Sequence, residues 1–405
     1  MLASIQKLLN EKNEKLWVMY NTEGSDYFFK KYVSDKLDTA TICFLSNDIV
    51  YILVSSLDKG NVEHLKYSKE KIRIIVYDSV SDIEKYFEEI IAKLNFPNKI
   101  NLSYSTMSDK NTDILTHGNF LKVTKLLKAV YSKYSKNVKF QSAENIIYEI
   151  ASKRSEIEIK RLKLIANITD RILEETFKNI KVGMTEIDIY NSTIKMTDNI
   201  MKLYIGTNNI SLYSYSWENC PIVLIGENLA KGGHTLPSNK ILQRGDTIYF
   251  DFGIEVTFDD NMILCTDMQR MGYSLKQDEK VAPYSVQRVF DTLVESIEEG
   301  MEALKAGTKA YIVDDVVRKK ILKAGYPNYM HATGHPVGYS VHDIGAVISI
   351  KSSPMSKLKI VENGVYTLEP RIAIANGGSI EEMFQATKFG GVPLCNPQRK
   401  IYLVK

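Results

Sequence analysis

Residues 246–253 read DTIYFDFG and residues 262–268 read MILCTDM. Each is a short apolar run with an acid inside it, Asp251 in the first and Asp267 in the second. Runs of this kind favour strand, and Asp259, Asp260 and Asn261 between them supply turn chemistry. A hairpin over these residues brings Asp251 and Asp267 side by side on one face. A carboxylate in an apolar strand is costly unless something pairs with it. The same difficulty recurs downstream. His335 lies in HATGHPVGYSVH (331–342), Glu369 in YTLEP (366–370) and Glu381 in SIEEMF (379–384). Glu381 and Glu382 are adjacent, so on a strand one points inward and the other outward. Four carboxylates and one imidazole do not neutralise one another, whereas two divalent cations would. Three of the chain's six histidines, His331, His335 and His342, fall within this glycine-punctuated stretch, which favours a site over isolated structural histidines.

The rest of the chain sets the frame. At 405 residues it exceeds the length at which one hydrophobic core keeps growing, so two domains are expected. Apolar residues make up 44% and the net charge is only +3. That balance gives no electrostatic footprint for nucleic acid. No run approaches the roughly 18 apolar residues of a membrane helix. The first residues, MLASIQKLLNEKNEKLW, lack the apolar core of a signal peptide. Four widely spaced cysteines read as reduced thiols. A cytoplasmic protein is the expectation, with neither membrane nor nucleic acid as partner.

Strand-like runs at KLWVMY, TICFL, IVYILV and IRIIVY, with a helical pattern over SDIEKYFEEIIAKLN, predict an α/β accessory domain over residues 1–142. His64 and His117 there have polar or turn-like neighbours and are expected at the surface. From residue 143 to 405 a second domain follows. Its first part, from Ser142 to Ile180, reads as one long helical stretch. The turn KVGMTE, a helix from Ile187, short strands, and helices over 283–305 and 310–324 come next. The fold class is α+β.

The order of these motifs resembles the M24 "pita-bread" metallopeptidases. Asp in DxG, Asp in T-D-x-x-R, His in GHxxG, Glu in LEP and Glu in IEE follow one another as that family's five metal ligands do. The segments ASKRSEIEIKRLKLIANI, KVGMTE and GENLAKGGHTLPSN add to the likeness. The N-terminal domain is similar to the creatinase-type accessory domain of the aminopeptidase P and prolidase branch. The resemblance implies a creatinase-like domain followed by a pita-bread catalytic domain. It makes Asp251 the bidentate ligand of one ion, Asp267 and Glu381 the bridging carboxylates, and His335 and Glu369 the remaining ligands of the second. Two cations about 3.5–4 Å apart need bridging carboxylates to offset their repulsion, and together they hold a hydroxide at neutral pH. An oxygen-rich set favours Mn²⁺, with Zn²⁺ or Co²⁺ as alternatives.

The same resemblance gives Glu369 the proton shuttle. His234 lines the substrate side, and His331 and His342 flank the ligand His335. His342 is placed to hydrogen-bond the scissile carbonyl oxygen or its oxyanion. The implied reaction is hydrolysis of the bond preceding proline in short peptides, by a dipeptidase or an aminopeptidase, in a family where homodimers are common. Two alternatives stay open: a non-catalytic pita-bread binding protein, and a metal-free creatinase-like C–N hydrolase. The departures from the family pattern concern specificity. The stretch from Asp251 to Asp267 is longer than usual, which would extend the hairpin tip over or beside the site. Ser379 replaces a common Arg, Pro336 a common Gly, and Arg371 a common Gly. Arg371 is therefore the nearest basic candidate to hold a substrate carboxylate.

Overall fold

The computed structural model describes residues 2–34, 36–67, 71–107, 109–230 and 235–405. They form two compact units, residues 1–150 and 151–405.

The first unit is built on a six-stranded mixed sheet. Its spatial order is Ile72–Tyr77, Val50–Ser55, Thr41–Ser46, Leu16–Asn21, Lys99–Leu102 and Lys139–Ser142. Leu16–Asn21, Thr41–Ser46 and Val50–Ser55 pair antiparallel, while the outer pairings are parallel. These three inner strands are buried at every position, as expected of strands covered on both faces. The helix Ile83–Lys93 turns Ile83, Phe87, Ile90 and Ile91 inward at helical spacing. Phe87 meets Phe44 edge-on at 4.9 Å. His64 and His117 are exposed, as their neighbours suggested.

The helical stretch from Ser142 to Ile180 is two helices, Glu144–Ser152 and Glu156–Asn179. Apolar periodicity runs through the break, but Ser155 ends it. The Ser155 hydroxyl accepts from the Glu158 backbone N–H while the Glu158 carboxylate accepts from the Ser155 backbone N–H. This reciprocal cap starts a new helix. Thr185 and Asp188 cap Glu186–Met201 in the same way.

In the second unit the sheets separate two hydrophobic cores. One gathers Leu162, Ile165, Phe177, Phe250 and Phe252 beneath the helix Glu156–Asn179. The other gathers Val289, Leu293, Val313, Tyr366 and Phe384 beneath Tyr284–Ala303 and Ala310–Lys323. One sheet runs in the order Tyr402–Val404, Met268–Ser274, Thr247–Phe252 and Ile222–Ile225. A second runs Val365–Leu368, Glu382–Ala386 and Gly391–Pro393. No helix among the described residues is long and apolar enough to cross a membrane.

The hairpin that carries Asp251 and Asp267 divides between two sheets. Its base is the ladder Thr247–Phe252 against Met268–Ser274, and its upper part pairs Ile254–Phe258 with Ile263–Cys265. Between the two, a Cβ on Gly253 would lie 2.0 Å from the Thr266 carbonyl oxygen, so only glycine allows the strands this approach. Thr266 Oγ1 takes the Ile254 N–H at 3.0 Å. Asp267 therefore sits at an interruption, not inside the single strand the run MILCTDM suggested. Direct register pairs Asp251 with Gln269, two residues beyond Asp267, so the two acids are diagonal neighbours.

Candidate metal centre

Asp251 is the penultimate residue of the strand Thr247–Phe252, opposite Ile222 on one side and Gln269 on the other. Glu381 immediately precedes the strand Glu382–Ala386 and forms a bridge to Gln269, with N–H to carbonyl distances of 3.3 and 3.1 Å. Glu369 immediately follows Val365–Leu368, and its N–H donates to Thr333 O at 2.7 Å. The loop before His335 is thus laid along this strand. His335 O accepts from Thr367 N–H at 2.8 Å and His335 N–H donates to Thr367 Oγ1 at 3.2 Å. Gly334 makes the approach feasible, since a Cβ there would lie 2.0 Å from Thr367 O. A buried network holds the loop from behind. Arg318 grips Asp314 with two bonds of 2.7 and 3.0 Å and also donates to the carbonyls of Tyr329 and His331.

These elements gather the five residues. His335 Nε2 lies 3.5 Å from Asp267 Oδ2, 3.7 Å from Glu369 Oε1 and 3.8 Å from Glu381 Oε1. Its Nδ1 is turned to Pro336 O at 3.2 Å. One ligating atom from each of Asp267, His335 and Glu381 falls within 4.8 Å of the others. These separations exceed hydrogen bonds, yet ligand atoms bound at about 2 Å to one ion sit roughly 3 Å or a little more from each other. Asp251 Oδ1, Asp267 Oδ1 and both oxygens of Glu381 are buried without a hydrogen-bond partner. Burial pushes Asp267 up to about 7 and Glu369 up to about 8. Asp251 and Glu381 rise well above the usual carboxylate range, from burial first and then from the charge of Asp267. Unmet carboxylate oxygens this deep fit a divalent cation.

Other histidines fare differently. The His342 ring stands 4.4 Å from that of His335, nearly perpendicular to it, on an exposed residue. His331 is also exposed. Its Nδ1 pairs with Ala332 O at 2.6 Å and its ring leans on Tyr329. His234 lies outside the described residues. Arg371 is not the open carboxylate clamp its position suggested. It is 7% exposed, donates to Leu229 O and lies 5.4 Å from the Tyr249 ring, and Tyr249 in turn donates to Asp251 Oδ2 at 3.0 Å. The extended hairpin tip is fastened to the helix Glu156–Asn179, where Arg161 pairs with Asp260 at 2.9 Å.

Sequence reasoning missed several contributors. Glu382, expected to point outward, is buried against Arg270 at 3.1 Å, and Arg270 also holds Asp170 at 2.8 Å. Burial opposes the Arg270 charge, but these carboxylates more than offset it and raise its pKa. Gln269 was also overlooked, although its place two residues after Asp267 puts it on the same strand face. Buried Arg154 pairs with Asp343, beside His342, from nearly two hundred residues away, and no local pattern announces that contact.

The chain matches the description "Metallopeptidase family M24" over residues 160–390. It belongs to that family. An uncharacterised peptidase of Staphylococcus aureus strain USA300 is 25% identical over 390 residues, covering 95% of each chain. Among solved structures, an X-Pro aminopeptidase from Thermotoga maritima superposes with a TM-score of 0.63 at 22% identity, covering 100% of this chain and 99% of its own. An Xaa-Pro dipeptidase from Bacillus anthracis gives 0.67 at 19% identity, covering 100% and 99%. The fold is therefore that of the prolidase and aminopeptidase P branch, an N-terminal α/β domain followed by a pita-bread domain.

Proposed function

We propose that this M24 peptidase is a two-metal hydrolase of the bond preceding proline in short peptides. The observation that carries the reading is the convergence of Asp267, Glu369 and Glu381 on one nitrogen of His335, beside buried and unmet oxygens of Asp251, Asp267 and Glu381. Asp251, Asp267, His335, Glu369 and Glu381 would hold the ions, with Mn²⁺ favoured by their oxygen-rich set and Zn²⁺ or Co²⁺ as alternatives. Bound, such ions polarise a scissile carbonyl and lower the pKa of the attacking water.

The remaining work falls to the chain's own groups. Glu369, with Oε1 3.7 Å from His335 Nε2, would take a proton from water and hand it to the leaving nitrogen. His342, beside His335, is suited to hydrogen-bond the oxyanion. His234 would line the substrate side, and His331 would flank the ligand His335. The bond to proline lacks an N–H, so selection would rest on a pocket shaped to the ring. Residues 1–142 would serve as the accessory domain and 143–405 as the catalytic one, in a cytoplasmic protein that assembles as a homodimer. The unmet acids favour this reading over a metal-free hydrolase or a non-catalytic binder, because without cations their burial is destabilising.

An Xaa-Pro dipeptide and an Xaa-Pro-Yaa tripeptide, assayed with added Mn²⁺, test it. Cleavage of either before proline, abolished by chelator, is expected. A metal-loaded protein inert to both would overturn it.

A further inference from the structure

We infer that Gln269 is a positioning residue of the acid pocket, a neutral amide that holds Glu369 and Asp251 in place for an ion bound among the acids. Its place is set by the backbone. Gln269 stands directly opposite Asp251 in one ladder and forms the bridge to Glu381 on its other side. Residues directly opposite in adjoining strands send their side chains to the same face. The glutamine therefore shares the pocket with both acids whatever its rotamer.

The residue is 4% exposed, and the contacts of its side chain divide by atom. Nε2 lies 3.1 Å from Glu369 Oε2 and 3.5 Å from Asp251 Oδ2. Ionised, as an ion held among them requires, Glu369 and Asp251 are acceptors, so the amide turns its NH₂ towards them and its oxygen away. Oε1 is then buried without a donor. A neutral amide orients the acids without adding a fifth negative charge to the cluster. An apolar side chain would leave Glu369 without its 3.1 Å donor, and a carboxylate would add repulsion.

The inference rests on the metal reading of the site, and the test separates the two. Chelator-stripped wild-type protein and Gln269→Met, which keeps length and loses both polar atoms, are titrated with Mn²⁺ by calorimetry, with circular dichroism as the check of folding. A folded Gln269→Met should bind Mn²⁺ about 10–100-fold more weakly, the usual effect of removing a group that orients metal ligands. Should that variant not fold, Gln269→Asn, whose amide is one methylene too short to span both acids, should show the same weakening. A folded variant with lowered melting temperature but an unchanged Mn²⁺ isotherm would make Gln269 a packing residue and overturn the inference. Wild-type protein that binds no Mn²⁺ would instead overturn the metal reading beneath it.

Discussion

Arg371 and Ser379 stand opposite one another in an antiparallel ladder only two residues long. Their side chains therefore leave it on the same face. The arginine that the resembling family carries at the position of Ser379 is matched here by one reaching in from the facing strand. Its guanidinium is spent on Leu229 O and the Tyr249 ring, and Tyr249 holds Asp251. Arg371→Ala should cost about 1.5–3 kcal/mol in urea unfolding, the usual loss for a hydrogen bond from a charged donor. Its effect on KM should be equal for dipeptides and longer peptides. A rise confined to dipeptides would restore the carboxylate-clamp role.

Asp267→Ala removes the acid nearest His335 Nε2. As a shared ligand it serves both proposed ions, so elemental analysis should find most of the metal gone and activity lost with it. Full occupancy in this variant would remove Asp267 from the ligand set.

His342→Ala should keep its metal and lose turnover. A group that stabilises an oxyanion typically contributes on the order of 10²–10³ in kcat. Near-normal kcat would reduce His342 to a packing partner of the His335 ring.

Gly334→Ala places a methyl against the Thr367 carbonyl, 2.0 Å away. Backbone on both sides has to shift, at a cost of about 1–3 kcal/mol. The His335 loop shifts with it, so Mn²⁺ affinity should fall as well as melting temperature. A variant as stable as wild type with unchanged affinity would show that the loop accommodates a Cβ.

The metal-free protein should lose stability as pH rises. Unfolded carboxyls titrate near 4, whereas burial lifts Asp267 to about 7 and Glu369 to about 8 in the fold. The folded state binds more protons between these values. The associated stability is present below about pH 4 and is lost as pH climbs through about 7 and 8. Melting temperatures of stripped protein should fall across that interval, and saturating Mn²⁺ should remove the trend. A stripped protein whose melting temperature rises from pH 5 to 8 would contradict the burial of these acids.

The five acid and imidazole groups were legible because each breaks a local rule, a charge inside an apolar run. Gln269 breaks none, and its importance comes from being flanked by Asp251 and Glu381 in two different pairings. The break before Ser155 was hidden because apolar periodicity continues across it, although the Ser155-to-Glu158 cap was there to be read. The direction of Arg371 depends on Leu229 and Tyr249, residues more than a hundred positions away. Local pattern marks unusual residues, whereas long-range pairing decides where they point.

The placement of the proposed ligands has a mechanical consequence. Asp251 belongs to the sheet of Thr247–Phe252 and Met268–Ser274 and Asp267 borders it, while Glu369 and Glu381 border that of Val365–Leu368 and Glu382–Ala386. The Gln269–Glu381 bridge joins the two margins. Ions gripped from both sides would act as rivets along this seam. Stripping them should let it breathe, with faster amide exchange at Glu369 and Glu381 while the helix Glu156–Asn179, bonded within itself, stays protected. The proposed catalytic centre would then also be the fastening of the scaffold that carries it.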